Sequence, residues 1–478
     1  MRAPPPTETL TPDLCIIGAG SGGLSVAAGA VQMGASVVLI EKGEMGGDCL
    51  NYGCVPSKAI LAAAKKAHAH RTSAPFGVAA NEPAIDYGAV MDHVREAIET
   101  IAPHDSQERF EGLGCTVIRD KALFTSPTEV TAGGHVIRAR RFIIATGSSP
   151  MVPPIPGLDT VPYLTNESLW ENRTLPGHLL VIGGGPIGLE QAQAHARLGS
   201  TVTVLEAAKA LGRDDPEMAA VVLEKLRGEG IDIREGARVA RAEATDGGIR
   251  LVLDGGEAVE GTHLLVAAGR RANIDLGLEA GGIEHTPRGV TVDKGLRSVS
   301  NRKVYAIGDV AGGLQFTHVA NYHAGLVVRS ALFRLPVRNS THHIPWVTYT
   351  DPELAQAGLT EAEARAAHGD AVEVHRFPYA DNDRAVAERA RAGLAKVIVG
   401  RKGRILGASI AGAQAGELIL PWAMALANGM KISAMAGTVA AYPTLSEVSK
   451  RAAGAYYAPR LFKSDFVKKA VRLLARLG

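Results

Sequence analysis

Residues 14–41 read LCIIGAGSGGLSVAAGAVQMGASVVLIE, and residues 179–206 read LLVIGGGPIGLEQAQAHARLGSTVTVLE. The two stretches align without a gap: Gly18 falls on Gly183, Gly34 on Gly199 and Glu41 on Glu206. Each starts with an apolar run, breaks into glycines, crosses an Ala-rich stretch and ends in a second apolar run. That is the order strand, helix, strand, and its repetition gives the chain two copies of one nucleotide-binding unit. Gly18, Gly20 and Gly23 form the first G-x-G-x-x-G fingerprint, and Gly183, Gly185 and Gly188 the second. The first glycine permits a sharp turn, the second lets backbone approach a pyrophosphate, and the third lets helix pack on strand. The helix N-terminus then faces the anion. Glu41 and Glu206 end the second strands, where an acid binds a ribose hydroxyl. At Glu206 a carboxylate accepts from a 2′-hydroxyl and repels a 2′-phosphate, which favours NADH; Arg213 close by keeps NADPH open.

Outward from the repeats, RRFIIATGSSP (140–150) and THLLVAAGRR (262–271) read as later strands ending in Gly147 and Gly269. PMVPPIPG (150–157) reads as a linker, and KVYAIGDVAGG (303–313) as a further strand ending at Gly308-Asp309. Composition changes after residue 340. There AKVIV and ILGASIAG, joined by GRKGR, read as a hairpin, and GELILPWAMALANGM as a buried helix with Gly429 near its C-cap. The fold class is α/β: two Rossmann-like domains, the second inserted in the first, plus a C-terminal α+β domain. The expected boundaries are 1–150, 151–280, 281–340 and 341–478. The basic, amphipathic FKSDFVKKAVRLLARLG (462–478) reads as a surface helix or frayed tail, with membrane-surface or partner contact as a second reading.

A chain of 478 residues suggests about three domains. A net charge of +2 gives no electrostatic case for nucleic acid. With 46% apolar and 21% charged residues the chain is globular, not disordered. No apolar run approaches the ~18 residues of a membrane span, and MRAPPPTETLTPD has no apolar signal core. The protein is therefore expected to be cytoplasmic, with its first ten residues frayed.

The chain has four cysteines, too sparse for a disulfide scaffold. Cys15, in a strand, and Cys115 are expected to be inert. Cys49 and Cys54 sit in MGGDCLNYGCVPSK (45–58) with a C-x4-C spacing that suits neither zinc nor a thioredoxin motif. Between two dinucleotide fingerprints, the pair suits a redox disulfide trading two electrons by thiol–disulfide exchange.

GGDCLNYGCVPSK closely resembles the active-site segment of the class I pyridine nucleotide–disulfide oxidoreductases, which include dihydrolipoamide dehydrogenase, glutathione reductase and mercuric reductase. The resemblance spans about residues 12–455 and includes ATG (145–147), GGGPIGLE (183–190), AIGDV (306–310), DPELAQAGLT (351–360) and YPTLSE (442–447). It implies an enzyme, a homodimer closed by the last domain, with FAD in the first fingerprint and NAD(P)H in the second. Glu41 would bind the FAD ribose, and Asp309 its ribityl or phosphate end. Thr146 and Gly147 would line the site, with Gly47, Asp48 and Gly269 among the cofactor contacts. Cys54 would face the flavin and Cys49 would meet substrate. Lys58 would lie beside the reactive flavin nitrogen with Glu190 as its counter-charge. Electrons would pass from NAD(P)H through FAD to the Cys49–Cys54 disulfide.

Disulfide-reducing members carry His-Pro-Thr-x-x-Glu near the C-terminus, with the His supplied by the other subunit. Here AAYPTLSE keeps Pro443 and Glu447 but places Tyr442 at the His position. Tyr ionises near ~10, a poor base at neutral pH. Mercuric reductases also lack that His, since an ion held by two thiolates needs no leaving-group proton. The favoured acceptor is therefore a soft metal ion such as mercuric ion. The alternatives are a dithiol/disulfide substrate, favoured by the absence of a cysteine pair after Cys115, and electron delivery to a partner protein. His318 and His323 are candidates for proton transfer, whereas His342-His343 mark the entry to the last domain. No resident metal site is expected.

Overall fold

Leu14–Ile17 and Val37–Ile40 are buried throughout, as strands covered on both faces must be. In this computed structural model, which describes residues 8–476, they pair in parallel with Ile17 opposite Ile40. The full sheet is five-stranded and parallel, in the order Val304–Ala306, Arg141–Ile144, Leu14–Ile17, Val37–Ile40, Thr116–Ile118. Leu14, Ile16, Leu39 and Ile143 fill one face and Cys15, Ile17, Val38, Ile40 and Phe142 the other. The helices Ser21–Gln32 and Thr317–Phe333 pack together against the first face. Glu8–Leu10 pairs in parallel with His135–Ile137. Fraying of the first ten residues is therefore corrected at Glu8–Leu10, because the ladder satisfies the backbone there; residues 1–7 lie outside the described residues.

Contacts divide the chain into two compact units, residues 1–183, 197–201 and 239–339 in the first, and 184–196, 202–238 and 340–478 in the second. In the first unit, His178–Ile182 of the second repeat runs parallel to His263–Val266. In the second, Thr201–Glu206 runs parallel to Asp232–Glu235 from Thr203 onward. The first repeat thus gives a parallel βαβ unit of Rossmann type.

The C-terminal domain is a five-stranded antiparallel sheet, in the order Pro345–Thr348, Glu353–Gly358, Ile405–Gly412, Leu394–Val399, Glu373–Pro378. The expected hairpin is present, Leu394–Val399 against Ile405–Gly412. The expected single buried helix is instead two, Ala415–Leu418 and Leu420–Ala427, broken at Ile419, with Pro421 opening the second. Trp422 is fully buried and its indole N–H donates to Ser449 Oγ at 3.0 Å, while Leu420 and Met424 are exposed.

The same unit holds a buried cation. Lys396 Nζ lies 2.8 Å from Asp215, 2.8 Å from Glu217 and 2.7 Å from Glu361. Arg376 bridges Glu217 and Glu361. Hydrogen bonds from Arg376, then Lys396, hold the Glu217 carboxyl down to about 2. The cluster ties the helix Pro216–Gly228 to the C-terminal sheet. Lys396→Met would leave Asp215 buried without its cation. Losing one partner of a buried pair costs about 3–5 kcal/mol, so urea unfolding should show a loss of that order, and a loss below about 1 kcal/mol would contradict the assignment.

Candidate active site

The two glycine turns are built alike. Gly18 adopts φ +106° and Gly183 φ +113°, and a Cβ on either would lie 2.4 Å from a carbonyl oxygen, that of Ala145 or Ala267. Only glycine fits such a site. A Cβ on Gly23 would strike the Gly18 carbonyl, and Gly188 is buried in the helix Pro186–Leu198. The acids close both turns in the same way. Glu41 accepts from the amides of Ala19 (2.6 Å) and Gly43 (2.7 Å); Glu206 accepts from those of Gly184 (2.7 Å) and Ala208 (2.8 Å). A carboxylate has about four acceptor positions, so each keeps capacity for a ribose.

Both glycine turns have the space a phosphate needs. A Cβ on Gly20 would meet only Gly47 Cα at 3.8 Å, while one on Gly147 or Gly185 would meet nothing within 4 Å. These empty Cβ positions let a phosphate approach backbone. Thr146 is tied in place, its hydroxyl donating to the Asn273 carbonyl at 2.7 Å. Asp309 accepts from Ser148 Oγ at 2.5 Å, and burial raises its carboxyl above the ordinary range. Arg270, following Gly269, donates to Ser148 Oγ and the Ser148 carbonyl, both at 2.7 Å, and pairs with Asp48 at 3.0 Å. Asn166 donates to the same Asp48 oxygen at 3.1 Å. The residues present therefore fit a dinucleotide.

Asp48 and Cys49 lie in the short helix Gly47–Asn51, and Cys54 opens the 18-residue helix Cys54–Arg71. Both cysteines are free thiols. Cys54 Sγ lies 3.4 Å from Thr317 Oγ1, the first residue of the helix Thr317–Phe333. The Cys54 thiol is held well below the ordinary value by hydrogen bonds from Cys49 and Thr317 and by the charge of Lys58, one turn along its own helix; burial and Asp48 oppose this. Its place at the helix N-terminus adds to the effect. Cys49 is pushed the other way, by its hydrogen bond to Cys54 and by burial. The pair is asymmetric, with Cys54 the more acidic thiol. Cys15 and Cys115 are buried, and burial raises both thiols.

Glu190 is buried and accepts from the Tyr349 amide at 2.9 Å. Tyr442 is exposed, and its hydroxyl donates to Asp383 Oδ2 at 3.0 Å. That bond and the Asp383 charge raise the phenol above its ordinary value, with Glu447 adding to the effect. Glu447 itself opens the helix Glu447–Gly454. His323 is buried, its Nδ1 accepts from the Gly308 amide at 3.2 Å, and burial lowers its pKa. It is a neutral group bracing the Asp309 turn. His318 is exposed and stacks on Phe316. Thr317, Arg270, Asn166 and Asp383 were not singled out from the sequence. Arg270 had a local signal in its place after Gly269; Thr317 had none, being 263 residues from Cys54.

Residues 12–324 match the family model for pyridine nucleotide-disulphide oxidoreductases, and residues 344–453 match the dimerisation domain of that family. The chain belongs to the class I pyridine nucleotide–disulfide oxidoreductases, flavoprotein enzymes that use FAD and NAD(P)H. It is 37% identical to a mercuric reductase of Streptomyces lividans, covering 95% of this chain and 97% of that one. It is 36% identical to a dihydrolipoyl dehydrogenase of Thermus scotoductus, covering 98% and 100%. Among solved structures it superposes on LpdA from Mycobacterium tuberculosis with a TM-score of 0.84 at 27% identity over 93% of this chain and 99% of that one. The Cu(II) complex of the HOCl-induced flavoprotein disulfide reductase RclA from Escherichia coli gives 0.82 at 29%, over 92% and 98%.

The thiolate assignment predicts a pH profile. In reduced protein, alkylation of Cys54 should rise with a midpoint below the ordinary cysteine value of ~8.5, ahead of Cys49. Thr317→Val removes one donor to the thiolate, so that midpoint should move upward. Residue-resolved alkylation with mass spectrometry reads both; an unmoved midpoint, or Cys49 reacting first, would contradict the assignment.

Proposed function

We propose that the protein passes electrons from NAD(P)H, with NADH preferred, to a soft divalent metal ion such as mercuric ion held by Cys49 and Cys54. The observation that carries this reading is the state of Tyr442. Its hydroxyl is committed to Asp383 and its pKa is raised, so at neutral pH it stays protonated and serves as no general base. A disulfide acceptor needs proton traffic at its leaving thiol, and losing such acid–base help typically costs ~10²–10⁴ in rate. A metal ion needs none: two thiolates bind it and it departs as the neutral element. The balance is NAD(P)H plus divalent ion giving NAD(P)⁺, metal and one proton.

The roles of the chain follow from the site. Cys49, the thiol that meets substrate, binds the ion and releases its proton to solvent, and the Cys54 thiolate becomes the second ligand; soft sulfur selects a soft metal. Lys58 and Thr317 keep Cys54 charged. Glu41, Thr146, Gly147, Asp48 and Asp309 hold FAD, with Arg270 setting the positions of Asp48 and Asp309. Bound flavin supplies electron relay between nicotinamide and the cysteine pair. Glu206, with acceptor capacity at the second turn, supports the NADH preference. The S. lividans relative is a mercuric reductase, and the RclA structure is a Cu(II) complex. The second reading is reduction or oxidation of a dithiol/disulfide substrate, favoured by the dihydrolipoyl dehydrogenase relative at 36% identity.

Anaerobic NADH consumption with mercuric ion plus excess small thiol, run beside lipoamide, tests this reading. Turnover is expected with mercuric ion, with lipoamide at least ~100-fold slower, and Tyr442→His should raise the lipoamide rate. Lipoamide turnover without mercuric turnover would overturn the metal reading.

A further inference from the structure

The end of the chain carries charge and apolar surface that the redox site does not use. Residues 458–478 hold six basic side chains and one acid, a net +5. The whole chain is only +2, so everything before this stretch is net −3. The stretch is anchored at its base. The Arg460 guanidinium lies 3.6 Å from the Tyr456 ring centre and pairs with Glu373 at 2.5 Å, while Tyr456 and Tyr457 pack on the C-terminal core. Beyond that anchor nothing is buried in either Ala458–Phe462 or Asp465–Leu474. Ser464 starts the second helix, its hydroxyl accepting from the Val467 amide at 3.3 Å.

The faces of that helix are fully segregated. At 3.6 residues per turn, Phe466, Val467, Ala470, Val471, Leu473 and Leu474 fall in one arc. Lys468, Lys469 and Arg472 fall in the opposite one. Phe466 is 80% exposed and Leu474 64%.

We propose that this helix docks the enzyme on an anionic lipid bilayer, lying in the headgroup plane with Phe466, Leu473 and Leu474 inserted. Charge complementarity selects this occupant. A net-acidic body is repelled by anionic lipid, so the contact falls to the one segment of opposite sign. The segment has both elements such binding needs, an apolar face and cations flanking it. A second copy of this chain is disfavoured, since two +5 segments repel each other. The matched dimerisation region also ends at residue 453, before this helix. Among the described residues no helix is long and apolar enough to cross a membrane, so the contact is interfacial. It is independent of the identity of the electron acceptor.

The test is co-sedimentation of the flavin-loaded full chain with vesicles of phosphatidylcholine, with and without about 30% phosphatidylglycerol. Binding is expected only with the anionic lipid, and should weaken as salt rises. Each basic residue near the surface is worth about five-fold in partitioning. Replacing Lys468 and Lys469 by Gln should therefore weaken binding by roughly 25-fold, and F466S/L473S should abolish it. NADH oxidation in solution serves as the folding control for both variants. No binding of the wild-type chain, binding insensitive to these changes, or a helix-dependent change of oligomeric state without lipid binding would each overturn the proposal.

Discussion

A thiolate at Cys54 is the constraint on which the redox reading depends. Three groups act together to lower the Cys54 thiol: the Cys49 thiol, the Thr317 hydroxyl and the Lys58 charge. None of them is adjacent to it in the chain, and each is carried by a different part of the first unit or a later turn of the same helix. The parallel sheet is what brings them to one place. Thr317 opens a helix that follows the last strand of that sheet, Cys54 opens one that follows the first repeat, and helix N-termini of this kind favour negative charge. The two thiols are shifted in opposite directions, so the pair is asymmetric.

The glycine turns show a second economy. Glu41 and Glu206 each brace the backbone of the turn they serve through two amides. The acid therefore orders the loop while keeping acceptor positions in reserve. Arg270 plays a comparable part between Asp48 and Ser148, and through Ser148 reaches Asp309. A guanidinium fork suits such a node, because its donors are fixed in one plane.

What was legible in the sequence was whatever short-range spacing controls. Each copy of the repeat, the turns, the cysteine pair and the C-terminal hairpin rest on residues within about thirty positions of one another. What was not legible depends on the fold closing. Thr317 meets Cys54 across 263 positions, and Asp383 meets Tyr442 across 59. Lys396 sits in an apolar strand and gives no hint that three carboxylates will surround it. The expected single helix over residues 416–430 fails because Pro421 lacks the amide that would continue the first turn, so the chain restarts at Leu420. Tyr442 was recognised as a departure from the family pattern; that Asp383 holds its proton needed the structure.

In the proposed function, electrons from the nicotinamide reach the Cys49–Cys54 pair before any acceptor. The most direct measurement is anaerobic: oxidised, flavin-loaded protein is treated with a single equivalent of NADH, quenched with an alkylating reagent and mapped by mass spectrometry. Cys49 and Cys54 are expected to become alkylated together, with Cys15 and Cys115 unchanged. Flavin reduction with no new thiols at these two positions would contradict it.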